Sequence, residues 1–571
     1  MSRRGLSRGL LIVTLALAAW VLAPVLLWRP IPVPAGVPLD PLTRVRGVVH
    51  VHSTLSDGSG SPEEIVAAAV AAGLDFVVLT DHNNFDAKPL EGFGDTSVLT
   101  IVGTEISNHG GHLIALGLSA PSHRFSGNGL DALRDVTSLG GTTFAAHPDS
   151  PRADLGWTDW TLPGGWGLEV VNGDSQWRRA GWLHAVGATL RYPVHPVRAL
   201  LGLTRRPAIL ERWDALLTDR EVPAIAGADA HGAFRPSTLS LPLPSYDAVF
   251  ATVQNYVLLD GPLTGHSERD IEAVVTALAR GRSYVGVGGL ADPSGFSLVA
   301  ERDGQQWHMG DRVPAEAPVT VRVAGALPHN SEIRLLRDGV EFLTGPAPLE
   351  TQVDAQGVYR AEVTLPGWDM PWILSNPLYF FDKDTHTARA AASALPQPPR
   401  ATPDVLLDRF DGDSTFDVIG NDTTSIAGPA IAPAEGLAGS GAGHLAFSLG
   451  IPGDDHPSPF AALGSYTPRD FSQRRGLTLW ARSNNTHRFW LQVRDRNPTG
   501  YDGVENWVTS IKATPDWQPI TVPFDALRSN DPGTDGQLDL DAVVAIVLLA
   551  DLGTHAPGGD VKLWVDDLGI Y

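Results

Sequence analysis

The feature that most restricts what this chain can become is an alternation, held across residues 45–287, between short β-rich runs and stretches of helical spacing. Residues 45–52 read as a strand. Ser61-Pro62-Glu63-Glu64 then opens a helix, with serine at the N-cap, proline at the first position and glutamate at the third. Ile65, Ala68, Ala69 and Ala72 recur at helical spacing before Gly73 stops the run. Further strands follow at 76–80, 98–102, 113–116, 143–146, 168–171 and 224–228, and residues 267–282 make a last capped helix. Strands alternating with helices predict a parallel sheet, and this many units in about 240 residues predict a (β/α) barrel.

Polar residues sit at the ends of these strands. His50 and His52 stand at i and i+2 and so share one face of the first strand. Alone that pair says little, because 18 histidines in 571 residues supply roughly half of one such pair by chance. Asp454-Asp455-His456, set among Pro and Gly with no neighbouring ligands, is a decoy of that kind. Order and placement say more. Asp57 lies in the loop after the first strand, His82 ends the second and Glu105 the third. His112 opens the next strand, His147 ends another, and Asp229 and His231 end a later one. Barrel enzymes assemble their sites at the C-terminal rim, and solvated histidines scattered at random would not track strand ends. The chain has no cysteine, so an ion here is held by imidazole and carboxylate, a set that suits Zn, Mn or Fe.

The whole series resembles the PHP family (polymerase and histidinol phosphatase) and its secreted CehA/McbA-like metallohydrolase group. The likeness lies in His-x-His-x4-Ser-Asp-Gly from His50 to Gly58, Thr80-Asp81-His82, Gly103-Thr104-Glu105, His147-Pro148 and Asp229-Ala230-His231. It spans about residues 45–287 and implies a distorted barrel holding two or three divalent ions. By that analogy His50, His52, Glu105 and Asp229 hold one ion, Glu105 bridges to a second completed by His112 and His147, and Asp57, His82 and His231 hold a third. His109 competes with His112 for its place. Many related amidohydrolase barrels bridge their metals with a modified lysine. The only lysine before Lys383 is Lys88, in a polar loop, so the bridge here is a carboxylate and Glu105 is placed for it. Adjacent cations acidify water and stabilise charge on a phosphoryl or acyl oxygen. Glu105, Asp229 and His231 are therefore the catalytic candidates, with His231 or Asp229 as proton donor to the leaving group. Arg178, Arg179, Arg191 and Arg198 include a candidate clamp for a substrate anion, or form a solvated helix surface. Glu169 either supports the ligands or is a satisfied strand carboxylate.

A net charge of -22 argues against nucleic acid as partner, but not against a small phosphate ester held locally by a metal cluster. Arg3, Arg4 and Arg8 precede an apolar run at 9–28, long enough to cross a hydrocarbon core of roughly 30 Å. Residues 1–30 are read as a single-pass anchor in the cytoplasmic membrane, which leaves the bulk periplasmic or extracellular. The rival is a signal cleaved near Ala16-Leu17-Ala18, giving a secreted protein.

The expected domains are the metallohydrolase at 44–288, a β-sandwich at 289–385, an Ala/Pro-rich linker at 386–403 and a jelly roll at 404–571. The last resembles galactose-binding-like domains, including some carbohydrate-binding modules, through Gly476-Leu-Thr-Leu-Trp-Ala-Arg482, Pro515-Asp-Trp-Gln-Pro519 and Val565-Asp-Asp-Leu-Gly-Ile570. Trp480, Trp490, Trp507 and Trp517 are its sugar-stacking candidates, or core. Asp408, Asp411 and Asp566 are candidates for a structural Ca. The leading expectation is a phosphomono- or phosphodiesterase. The same ligands also suit a carboxylic ester or carbamate, and a third reading is a surface glycan-binding protein with a silent barrel.

Overall fold

The computed structural model of the chain describes residues 26, 28–36, 38–121, 123–152, 154–232, 244–421, 423–453, 458–529, 531 and 533–571. The segment expected as an anchor or signal lies almost wholly outside the described residues, as does Asp454-Asp455-His456. Among the described residues no helix is long and apolar enough to cross a membrane. The chain forms two compact units, Met1–Leu118 with Val136–Leu395, and Ser119–Asp135 with Pro396–Tyr571.

In the first unit the apolar runs become strands β1 (Thr43–Val51), β2 (Phe76–Leu79), β3 (Leu99–Val102), β4 (Thr104–Asn108), β5 (Gly111–Leu116), β6 (Thr142–Ala146), β7 (Gly167–Asn172), β8 (Ala224–Ala230), β9 (Gln254–Leu259) and β10 (Ser283–Gly286). β3, β2, β1, β8, β7 and β6 lie parallel in that order. β5 then pairs antiparallel with β6, and β4 antiparallel with β5. A bridge between His82 and Glu105 sets β4 beside the end of β2, so the curved sheet returns on itself. The antiparallel β5 departs from the all-parallel expectation. Only His109 and Gly110 separate it from β4, and a parallel crossover needs a dozen or more residues. The reversal has a consequence for His112, because the start of β5 now lies at the rim where its parallel neighbours end.

The helix Pro62–Ala71 carries the expected capping box between Ser61 and Glu64 and buries Ile65 and Ala69. The helix Ser267–Ala279 is shorter than expected and has no side-chain bond at its N-cap. It buries Val274 and Leu278 in a core with Val49, Phe76, Ile101, Phe144 and Ile225.

β10 continues the same sheet into the next region by pairing with the strand Ile373–Ser375. A separate four-stranded sheet includes Phe296–Arg302 and Val319–Gly325. Residues 386–392, expected as linker, belong to the helix Lys383–Ala392, capped where Asp382 accepts from Thr385 N–H at 2.8 Å. Its alanines favour helix over extended spacer once a cap is present.

The second unit has a seven-stranded and a six-stranded sheet around one core, to which Leu445, Leu477 and Leu563 contribute from the first and Leu463, Leu491 and Leu548 from the second. Asp408, Asp411 and Asp566 do not gather as a metal group among the described residues. Asp408 instead accepts from Phe410 N–H and the Ser414 hydroxyl, Asp411 from Gly441 N–H, and Asp566 from Leu437 N–H and the Ser440 hydroxyl. Of the four tryptophans, Trp507 is buried in the core, Trp490 donates to Asp551 at 2.9 Å, Trp517 lies beneath Arg482, and Trp480 is half-buried.

Candidate metal centre

β1 ends by delivering His50 and His52 to one side, and the chain then turns sharply through Ser56-Asp57-Gly58. A Cβ at Gly58 would lie 2.2 Å from the His52 carbonyl oxygen, so this turn closes only on glycine. Asp81 braces the loop, accepting from Ser53 N–H and from the hydroxyls of Ser53 and Ser56 at 2.6 to 2.8 Å. The middle residue of Thr80-Asp81-His82 therefore holds the segment that carries Asp57. His50, His147 and Asp229 all have left-handed backbones, with φ of 67°, 30° and 50°. Such conformations are costly for residues other than glycine and persist where the surroundings fix them, often at functional sites.

Glu105 is the centre of the cluster and is 1% exposed. Its Oε2 lies 3.2 Å from His50 Nε2, 3.1 Å from His52 Nε2 and 3.3 Å from His82 Nδ1. Its Oε1 lies 2.8 Å from His112 Nδ1 and 2.7 Å from His147 Nε2. Asp229 Oδ1 stands 3.5 Å from His50 Nε2, 3.6 Å from His52 Nε2 and 3.5 Å from His231 Nδ1. At the rim, Asp57 Oδ2 lies 3.3 Å from His231 Nε2 and 3.6 Å from His82 Nε2. The donor atoms fall into overlapping groups: His50, His52 and Asp229; His50, Glu105 and His147; His82, Glu105 and His112; and His52, Asp57, His82 and His231. All nine expected ligands are in these groups, whereas His109 is exposed in the turn between β4 and β5.

His112 Nδ1 and His147 Nε2 are within hydrogen-bond distance of Glu105 Oε1, whereas the spacings of 3.1 to 3.6 Å around Glu105 Oε2, Asp229 and Asp57 are those of donors that could share an ion. Donors about 2.1 Å from one ion at tetrahedral angles lie about 3.4 Å from each other. The buried atoms His50 Nε2, His52 Nε2 and His82 Nδ1 have no hydrogen-bond partner, although carboxylate oxygens stand close by. A buried polar nitrogen left unpaired is costly, and a shared cation satisfies it.

The charges point the same way. Burial opposes ionisation of Glu105, yet His50, His112 and His147 hold its carboxyl well below the usual range. Asp229 and Asp57 are lowered likewise against burial, Asp229 chiefly by His50 and His147, Asp57 by His231 and His82. Burial pulls His231 down, but Asp57 and Asp229 outweigh it and raise the imidazole to about 9. Oxygen and nitrogen donors with ionised carboxylates at their centre suit two or more divalent ions.

Glu169, whose role the sequence left open, lies beneath this cluster at 1% exposure. His50 Nδ1 donates to its Oε1 at 2.7 Å, while His147 N–H and Asn172 Nδ2 donate to its Oε2 at 2.6 and 3.0 Å. A proton kept on His50 Nδ1 leaves Nε2 as the donor facing Glu105, which is how supporting carboxylates fix a ligand imidazole. A Cβ at Gly227 on β8 would lie 1.8 Å from Glu169 Oε1, so glycine there makes the space. The available signal was one charged residue in the apolar run Leu168-Glu169-Val170-Val171. Lys88 is occupied elsewhere, donating to Glu91 and the Leu118 carbonyl. Of the arginines, Arg178 pairs with Asp174, Arg179 donates to the Asp149 carbonyl and Arg198 lies over Trp368. Among them Arg178 also feels the charge of Asp229.

Residues 49–122 match the family model of the PHP domain. An error-prone DNA polymerase of Nocardia farcinica is 34% identical over 93 residues, which are 16% of this chain and 7% of that polymerase. The chain thus spans a small part of that relative's length. A solved two-domain protein from Bacteroides vulgatus, containing a predicted PHP-like metal-dependent phosphoesterase, is 20% identical, with 61% of this chain and 98% of that one covered at a TM-score of 0.30. The family 11 carbohydrate-binding module of Clostridium thermocellum, solved with a mixed-linked tetrasaccharide, is 20% identical, with 30% of this chain and 96% of the module covered at a TM-score of 0.24.

Proposed function

Starting from a PHP-type metal-dependent hydrolase domain with a buried His/Asp/Glu centre, we propose that this chain hydrolyses phosphomono- or phosphodiesters. The observation that carries the reading is Glu105, whose two oxygens face different sets of imidazoles, as a carboxylate shared between adjacent ions would. Divalent ions held by these groups would acidify a water and stabilise charge on the phosphoryl oxygens.

The chain's own residues account for the rest. Glu169 orients His50, and Asp81 fixes the loop that brings Asp57 to the rim. Arg178, which pairs with Asp174 and also feels the charge of Asp229, is the candidate for holding a phosphoryl oxygen. Proton delivery to the leaving oxygen falls to His231 rather than Asp229, because 24% of the His231 side chain is exposed against 4% for Asp229.

The test is hydrolysis by the full chain, stripped of metal and resupplied with Mn²⁺ or Zn²⁺. Substrates are nitrophenyl phosphate, bis-nitrophenyl phosphate and nitrophenyl acetate, with Glu105→Gln as control. Turnover of either phosphate that the variant lacks is the expected result and tells monoester from diester. Turnover of the acetate alone moves the chemistry to a carboxylic ester or carbamate. Absence of turnover on all three leaves the silent glycan-binding reading.

A further inference from the structure

The largest exposed apolar side chains of the first unit include a group that the metal centre does not use. The helix Trp182–Arg191 leaves Trp182 74%, Leu183 66%, Val186 51% and Leu190 64% exposed, and Val194 just beyond it is 39% exposed. Trp182, Val186 and Leu190 recur every four residues, so they line one side of the helix, with Leu183 beside the first and Val194 in the turn that follows. Ala188 is the residue this helix buries. Contiguous apolar surface of this kind marks an interaction site on a protein rather than ordinary exposure.

Two further observations say what covers it. The apolar run at 9–28 ends at Trp28, and the Trp28 ring stands edge-on to His195 at 4.8 Å, one residue from Val194. Arg191 closes the same helix and Arg198 lies in the next, Pro196–Leu201, where burial and then the Arg191 charge press its pKa down. An apolar stripe bearing tryptophan, flanked by arginines and set where a membrane-length segment joins the fold, has the make-up of an interfacial helix.

We infer that the stripe of Trp182, Val186 and Leu190, with Val194 just beyond it, rests in the headgroup and upper acyl region of a lipid bilayer, beside the point where the chain enters the fold. Arg191 then faces anionic headgroups.

The chain has no cysteine, so Val186→Cys takes a single nitroxide label. Val340→Cys, 70% exposed on the strand Val340–Gly345, supplies an aqueous reference. Each full-length variant is reconstituted in vesicles of phosphatidylcholine and phosphatidylglycerol. Collisions of the label with oxygen and with a water-borne nickel chelate are then read by power-saturation spin resonance. The label at 186 is expected to gain oxygen and lose chelate relative to the label at 340. Equal access to the chelate at both positions overturns the inference, as does a chain that stays off the vesicles. Loss of both collision partners at 186 overturns it too: with dipolar broadening a second copy covers the stripe, and without it the chain's own apolar segment does.

Discussion

Glu169 belongs to none of the donor groups, yet it touches two residues that do. Its carboxylate accepts from His50 Nδ1 and from His147 N–H, so one oxygen sets a tautomer and the other pins a strand end. Glu169→Gln keeps the volume but turns one acceptor into a donor facing His147 N–H. Loss of such a supporting contact costs about 10–100-fold in metal affinity. Titration with Mn²⁺ against a competing chelator should show that fall, with an unchanged far-ultraviolet spectrum, and unaltered affinity would remove Glu169 from the centre. The imidazoles also predict a pH dependence. Burial lowers His50, His82 and His147, but neighbouring carboxylates outweigh it and raise all three, and His231 reaches about 9. Below those values the rings hold protons that an ion must displace, so affinity weakens as pH falls. The same titration at pH 6 and pH 9 should find tighter binding at pH 9.

At the scale of elements, the reversal of β5 and the helix Lys383–Ala392 both change what neighbouring residues can do. The two-residue turn after β4 brings His112 to Glu105, whereas a parallel β5 would have carried it to the opposite rim. The helix Lys383–Ala392 sends Arg389 into the end of the helix Ile209–Asp219, where its guanidinium donates to the carbonyls of Leu217, Thr218 and Arg220 at 2.6 to 2.9 Å. Those carbonyls are among the groups a helix C-terminus leaves unpaired. Arg389→Ala strands them in a buried place and should destabilise the first unit by about 2–4 kcal/mol. Chemical denaturation of the full chain, followed by fluorescence, measures it. A loss below half a kilocalorie would mean that water replaces the guanidinium freely.

At the scale of the whole chain, the division into units does not follow sequence order. Ser119–Asp135 groups with Pro396–Tyr571 although it lies between β5 and β6. Within that second unit, Asp135 is buried against Arg488 at 2.6 Å and Lys512 at 2.9 Å. Burial opposes its ionisation, but Arg488, His123 and Lys512 hold the carboxyl well below the usual range. A carboxyl depressed by folding stabilises the native state above its ordinary value of about 3.9, and that stabilisation is lost as pH falls toward the folded value. Asp135→Asn leaves the Arg488 guanidinium buried without its charge partner, at a cost of about 3–5 kcal/mol. Calorimetry should show the unfolding of the second unit moving to lower temperature in the variant at pH 7, with the gap to wild type narrowing in acid. A variant that melts with wild type at both pH values would show that the pair does not hold the segment.

The sequence by itself marked the main parallel strands of the first unit and several strands of the second, and it singled out the nine residues whose side chains the structure gathers, because both signals are local. Period-two and period-3.6 apolar spacing follows from backbone geometry, and residues at the ends of parallel strands share a rim. The sequence's preference for a carboxylate over a lysine as bridge rests on Lys88 being the only lysine before Lys383. Only the tertiary structure decided that Glu169 lies under His50 and that Asp408, Asp411 and Asp566 spend their oxygens on nearby N–H and hydroxyl groups. It alone also showed that residues 386–392 continue a helix and that residues 119–135 belong with the last third of the chain. Most of these depend on partners far away in sequence, such as Gly227 opening space for Glu169 or Arg488 receiving Asp135, and no local spacing encodes which distant group will arrive.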